Sequence, residues 1–343
     1  MSQSFPEKLL RYFANCTAVG LRQIRRRSRG LLLLGLVLGF GCHLEDHPDQ
    51  ELVLRTGTFS FPSLASVMVS IVQEQQFDKA NGFRLAVHEY GSVAAYYAGL
   101  VTGEVDTIAG GPHVSWRMRQ QGVPIKATNT FSTLASLVVI TSDSTVSSLS
   151  DLRGKSLAAD LSSSEFHILR LVAGAQGLNL DEEIRVIQAS PTVARAHLQS
   201  GEVSAILIFE PLASLTLAQN PSYRPIFTPA ESWGEIAKGT GWLLISLIRE
   251  DWLKQHPGGA NRWITALRDA SAFLREQPAA SDVIVSNALK IPQGVLLKAL
   301  REGRIGFQIQ PANQQRDSLL EMLRMTESQS EPELSDSGLI AIE

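Results

Sequence analysis

Three serines, Ser162, Ser163 and Ser164, stand in "DLSSSEFHILR" just ahead of an apolar helical pattern. Hydroxyls and free amides at a helix N-terminus can hold a polar or anionic group. Ser162 and Glu165 fit the S-x-x-E capping box, in which Ser162 bonds a first-turn amide and Glu165 returns a bond. Losing that cap would cost about 1 kcal/mol of stability. The box leaves Ser163 and Ser164 as candidate ligand contacts. Gly110 and Gly111 end the apolar run "VDTIAGG", and two residues without Cβ let backbone approach a ligand closely. His113 follows Pro112 at the next helix start. Thr58, Phe59 and Ser60 close the first apolar strand, Ser92 follows Gly91, and Phe131 sits in a turn. Phe59 and Phe131 could stack on a ligand or fill the core. Glu210 ends "AILIFE" ahead of Pro211. If buried in a cleft it would bind a cationic or amine-bearing group, because an unpaired buried carboxylate is costly. Its structural alternative is a cap or a salt bridge. These loops hold no obvious Arg, which a bare dianion would want.

The elements that would position these residues follow a regular rhythm. "LVLRTGTF", "FRLAVHEY", "VDTIAGG", "PIKATNTF" and "SLVVITS" read as strands with helical patterns between them. The rhythm restarts after Ser150 with "DLRGKSLAA", "IRVIQA", "SAILIFE" and "YRPIF", then "GWLLISLIRE" leads into a mainly helical end. Such alternation predicts α/β architecture, with parallel-rich sheets carrying helices on both faces. In such sheets ligands bind beyond the carboxyl ends of strands, where helix N-termini point. All the candidate residues above fall at those turns. The enzyme motifs G-x-S-x-G, H-E-x-x-H and Walker A are absent, and no metal site or cofactor is expected.

The first 42 residues differ from the rest. A basic head containing Arg25, Arg26, Arg27 and Arg29 precedes "GLLLLGLVLGFGC", Gly30 to Cys42. The apolar run is shorter than the roughly 18–20 residues of a membrane span and suits a signal peptide. Its ending in Gly41-Cys42 fits a bacterial lipoprotein signal, with Cys42 receiving lipid. The arginines also fit a twin-arginine signal or an ordinary cleaved one. Residues 1–41 are thus expected to be removed, with 42–51 as a lipid-anchored tether. Cys16 and Cys42 are the only cysteines, so the exported chain would have no disulfide. The net charge of -3 gives no reason to expect nucleic acid. The acidic, serine-rich tail, 327–343, is expected to be mobile.

The order of phrases resembles the periplasmic solute-binding proteins of ABC importers. The likeness is greatest to the branch handling nitrate, sulfonates, taurine and thiamine-precursor pyrimidines. "GLVTGEVDTIAGG", "DLRGKSLAADLSSSEFHILR", "ARAHLQSGEVSAILIFEP" and "WLKQHPGGANRWITALRDASAFLREQP" carry it. Ser204 stands where that family usually has Asp. The resemblance implies a two-lobed, type II-like fold with two crossing strands as hinge, for which "SLVVITS" and "GWLLISLIRE" are the candidates. Lobe I would take residues 52–142 and 240–326, and lobe II residues 143–239. It also implies a monomer that captures a small-molecule solute in the interlobe cleft, outside the cytoplasm, and delivers it to an inner-membrane permease. Glu210 points to an aminosulfonate or aminopyrimidine as solute. The alternatives are a ligand-sensing receptor lobe and a pyrimidine-precursor synthase. The synthase depends on a cysteine-rich iron-binding stretch that this chain lacks.

Overall fold

The computed structural model describes residues 51–326 and 338–341, so the expected signal, tether and lipidation site at Cys42 lie outside the described residues. The chain runs β1 (Val53–Phe59), α1 (Leu64–Glu74), α2 (Phe77–Ala80), β2 (Arg84–Tyr90), α3 (Val93–Thr102), β3 (Thr107–Gly110), α4 (Pro112–Gln120) and β4 (Ile125–Thr133). One 3-10 turn, Leu134–Ser136, leads to β5 (Leu137–Thr141), β6 (Ser156–Ala159), α5 (Ser164–Ala175), α6 (Leu180–Glu183) and β7 (Arg185–Gln188). Then come α7 (Pro191–Ser200), β8 (Ala205–Phe209), α8 (Leu212–Gln219), β9 (Arg224–Phe227) and α9 (Pro229–Ile236). The last part is β10 (Trp242–Arg249), α10 (Glu250–Gln255), α11 (Gly259–Glu276), α12 (Pro278–Leu289), α13 (Val295–Arg301) and α14 (Arg316–Thr326).

Two five-stranded sheets result, ordered β2-β1-β3-β10-β4 and β7-β6-β8-β5-β9. Each is mixed. β1 is parallel to β2 and β3, and β6 is parallel to β7 and β8. β10 runs antiparallel to β3 and β4, and β5 antiparallel to β8 and β9. The reversed strands are the two that begin where the chain passes between sheets. Strands linked by local helical crossovers must be parallel, whereas a strand arriving from the other lobe is free of that constraint. "SLVVITS" and "GWLLISLIRE" therefore start at the crossings, and each then lies wholly in one sheet. The second sheet takes in Leu137–Thr141, ahead of the boundary at residue 143 drawn from sequence.

Patterning accounts for these elements. β5 reads LVVIT with all residues buried, as a strand covered on both faces must. α11 buries Trp263, Ile264, Leu267, Ala270 and Leu274 along one helical stripe. Part of the tail expected to be mobile is docked. Ile340 makes a parallel bridge to Ala127 of β4, and Leu339 and Ile340 are buried. The Leu339 carbonyl accepts from the Ala127 amide at 2.7 Å, so two apolar residues and an open strand edge outweigh the tail's polar composition.

Candidate functional site

The serine run departs from the capping box. The Asp160 carboxylate accepts from the Ser162 amide at 3.1 Å and from its hydroxyl at 2.7 Å. That local turn competes for Ser162 and moves the helix start one residue on. Ser163 is the N-cap, accepting from the Phe166 amide at 3.2 Å while its hydroxyl donates to the Asp160 carbonyl at 2.7 Å. Ser163 is thus occupied by the backbone. Ser164 begins α5, is buried, and its hydroxyl has no hydrogen-bond partner among the described residues.

Ser164 faces Gly111 of the other lobe. A Cβ on Gly111 would collide with the Ser164 side chain, so only glycine allows this approach. The Gly111 amide donates to the Tyr97 hydroxyl at 3.0 Å. The rings of His113, second residue of α4, and His167, one turn into α5, lie 4.6 Å apart. An aromatic file completes this wall: Phe61 stacks on Phe59 at 4.7 Å, Phe59 on Tyr96 at 4.4 Å, and Tyr96 meets Tyr97 edge-on at 5.7 Å. Phe61 packs against the apolar cluster of the second sheet that includes Ala189 and Leu212. Phe59, Gly111, His113 and Ser164 therefore gather where the two lobes meet. Tyr97, Phe61 and His167 join them and were missed from sequence. The pair Tyr96-Tyr97 near the start of a helix after a strand was the available signal.

The other candidates lie elsewhere. Thr58 is buried in β1, and Gly110 ends β3 against Leu247 and the Tyr97 hydroxyl. Ser60 is exposed, and Ser92 is an exposed N-cap accepting from the Ala95 amide at 3.2 Å. Phe131 does not reach a ligand position: it is buried in β4 and packs edge-on against Phe307 at 5.6 Å. Glu210 is also corrected. Its carboxylate is fully buried and accepts from the Arg304 Nε at 2.7 Å and from the Ser214 amide and hydroxyl, each at 3.1 Å. Arg304 also donates to the Ser214 hydroxyl at 2.8 Å. The Glu210 amide donates to the Ser136 carbonyl in the turn between the sheets. Glu210 is a hinge-side ion pair whose positive partner comes from the chain itself, 94 residues on.

Electrostatics follow from this packing. Burial, the neighbouring His167 and Arg117 push His113 down to about 3. Burial and Arg170 also lower His167. Burial raises the Glu165 carboxyl, while its own amide and the Ser163 hydroxyl hold it back. Burial, and after it the charge of Glu165, raises the Tyr97 phenol.

Comparison with known proteins assigns the lineage. Residues 68–281 match the family described as NMT1/THI5 like. The chain belongs to that family. A candidate binding protein of Brucella melitensis biotype 1 is 22% identical over 157 residues, 46% of this chain and 48% of that protein. The match thus spans about half the length of the curated relative. The periplasmic aliphatic sulphonate binding protein SsuA of Escherichia coli superposes with a TM-score of 0.64 at 18% identity, covering 83% of this chain and 95% of that one. The periplasmic nitrate-binding protein NrtA of Synechocystis gives 0.60 at 16% identity, over 72% and 69%. At these identities the likeness establishes the fold: this NMT1/THI5-like chain has the two-lobed build of periplasmic binding proteins.

Proposed function

We propose that this protein is the solute-binding component of an ABC importer, without enzymatic activity of its own. It captures a small polar organic or anionic solute between its lobes and presents it to a membrane permease. The observation carrying this reading is the buried, unpartnered Ser164 hydroxyl at the start of α5, held against Gly111 of the opposite lobe. A buried hydroxyl without a partner is costly, and a solute oxygen or nitrogen would satisfy it. Gly111, Ser164, Tyr97, Phe59 and Phe61 form the contact set, with His113 packed on His167 beside it. Lobe closure about the 134–136 and 228–241 crossings would shut the site.

A thermal-shift screen of alkanesulfonates, taurine, nitrate, pyrimidines and flavin-like compounds tests this. At about 100-fold above Kd a true solute adds roughly 2.7 kcal/mol, a Tm rise of about 5 °C or more. The same solute should leave Gly111→Ala unmoved, because the added methyl would hold Ser164 off. A wild-type protein that responds to no compound, or a Gly111→Ala variant that responds equally, would refute solute capture at this site.

Export and a lipid anchor at Cys42 are part of the same proposal, supported by the basic head and apolar run before that cysteine. Cys42→Ala is expected to move the protein from the membrane fraction to the soluble fraction. Unchanged fractionation removes the anchor from the reading.

A further inference from the structure

Two neighbouring tyrosines on α3 use their hydroxyls differently. The Tyr96 hydroxyl donates to the Ala109 carbonyl at 2.8 Å and accepts from the Ala109 amide at 2.9 Å, so β3 satisfies it in both directions. The Tyr97 hydroxyl accepts from the Gly111 amide at 3.0 Å, two residues further along the chain. It donates to no acceptor among the described residues. A phenol carries one proton to donate, and the fold leaves this one unspent. Tyr96 is buried in the core, whereas Tyr97 is only partly covered and meets the Tyr96 ring edge-on.

Across the lobe boundary Ser164 has the same chemistry to offer. Its residue is 3% exposed, its hydroxyl has no partner among the described residues, and it packs against Gly111, whose amide holds Tyr97. Two hydroxyls from opposite lobes thus converge on one glycine, each with a proton to give. Ser164 is also the first residue of the 12-residue helix α5, whose N-terminal end carries partial positive charge. The Gly111 amide already takes the acceptor side of Tyr97, so a solute meets that hydroxyl as a donor. Burial, and after it the charge of Glu165, raises the phenol and keeps its proton in place. Such a pair suits a solute group that accepts hydrogen bonds and leaves one that only donates them poorly matched.

We infer that Tyr97 is a specificity-determining residue of the interlobe site: its hydroxyl, fixed as a donor by the Gly111 amide, joins the Ser164 hydroxyl in holding an acceptor oxygen of the solute and selects against an ammonium there. The inference rests on the solute-capture reading above and narrows it. The polarity is the reverse of the amine preference that the sequence attached to Glu210.

Probes of like shape and opposite hydrogen-bonding character test it by titration calorimetry: butanesulfonate against butylamine, and benzoate against benzylamine. In the wild-type protein each oxygen acceptor should bind roughly tenfold or more tightly than its amine. Tyr97→Phe keeps the ring and should shrink that preference by about tenfold to a hundredfold, the range of a hydrogen bond to a charged group. The ratio within one variant is what is read, so any loss of folded Tyr97→Phe protein cancels. Ser164→Ala should weaken the acceptors to a similar degree, with a melting temperature at or above wild type, because the hydroxyl it removes makes no bond in the fold. Equal binding of acceptor and amine in wild type, a preference that survives in Tyr97→Phe, or wild-type affinity in Ser164→Ala overturns the inference. If other compounds bind in a manner abolished by Gly111→Ala while neither acceptor probe does, solute capture stands and the donor role of Tyr97 falls. If no compound binds, both fall together.

Discussion

Arg304→Met is expected to destabilise the protein by about 3–5 kcal/mol, read as a lowered midpoint in urea unfolding. The substitution keeps the apolar length of the side chain and removes the cation that pairs with Glu210. That carboxylate is fully buried and would keep only its two bonds from Ser214. Burial already drives the Glu210 carboxyl upward, with Arg304 as the main opposing influence. The double variant Arg304→Met with Glu210→Gln should recover much of the loss, since no buried charge then remains. A single-variant loss below about 1 kcal/mol would place the pair among solvated surface ion pairs and refute its hinge role. Because Glu210 also anchors the turn between the sheets through Ser136, the loss should appear in global unfolding and not as fraying of one helix.

The second large effect is acid sensitivity at the lobe boundary. His113 is buried against His167, and its pKa is depressed to about 3 from an unfolded value near 6.5. Between those values the unfolded chain binds a proton that the folded chain refuses, so stability falls as pH falls. The contribution is present above about pH 6.5 and is lost progressively below it. From pH 7 to pH 4 the loss attributable to His113 is about 3 kcal/mol. His167, also depressed, adds in the same direction. Carboxylates such as Asp251, held low by Arg249, lose stability over a lower range, so a reference is needed. His113→Gln provides one: its urea midpoint should change less between pH 7 and pH 4 than that of wild type. Parallel curves for the two proteins would mean that His113 titrates normally. Protonation of both rings would set like charges 4.6 Å apart between α4 and α5, so the lobe contact itself is the element expected to give way.

Particular residues mark how far the sequence could be read. Strand and helix rhythm, the restart after Ser150 and the long α11 were legible because burial imposes periods of two and 3.6 on the chain. Gly111 and Ser164, both singled out in the sequence, are brought into contact across the lobes. The roles within the site were not legible. Ser162 and Ser163 exchanged capping duty because of Asp160, a competition among three adjacent residues that composition does not rank. Phe131 read as well for a ligand platform as for core, and its contact with Phe307 decides for core.

The sequence by itself determined the α/β build, which follows from local patterning repeated along the chain, while the two lobes and the family were implied by the likeness of its phrases to known binding proteins. Tertiary structure alone decided that Glu210 is an internal ion pair and not a ligand contact. In one dimension Glu210 is simply an acidic residue at a strand end, open to a ligand or to a salt bridge. Folding brings Arg304 to Glu210 across 94 residues, and the charge balance of a buried group depends on what folding places next to it.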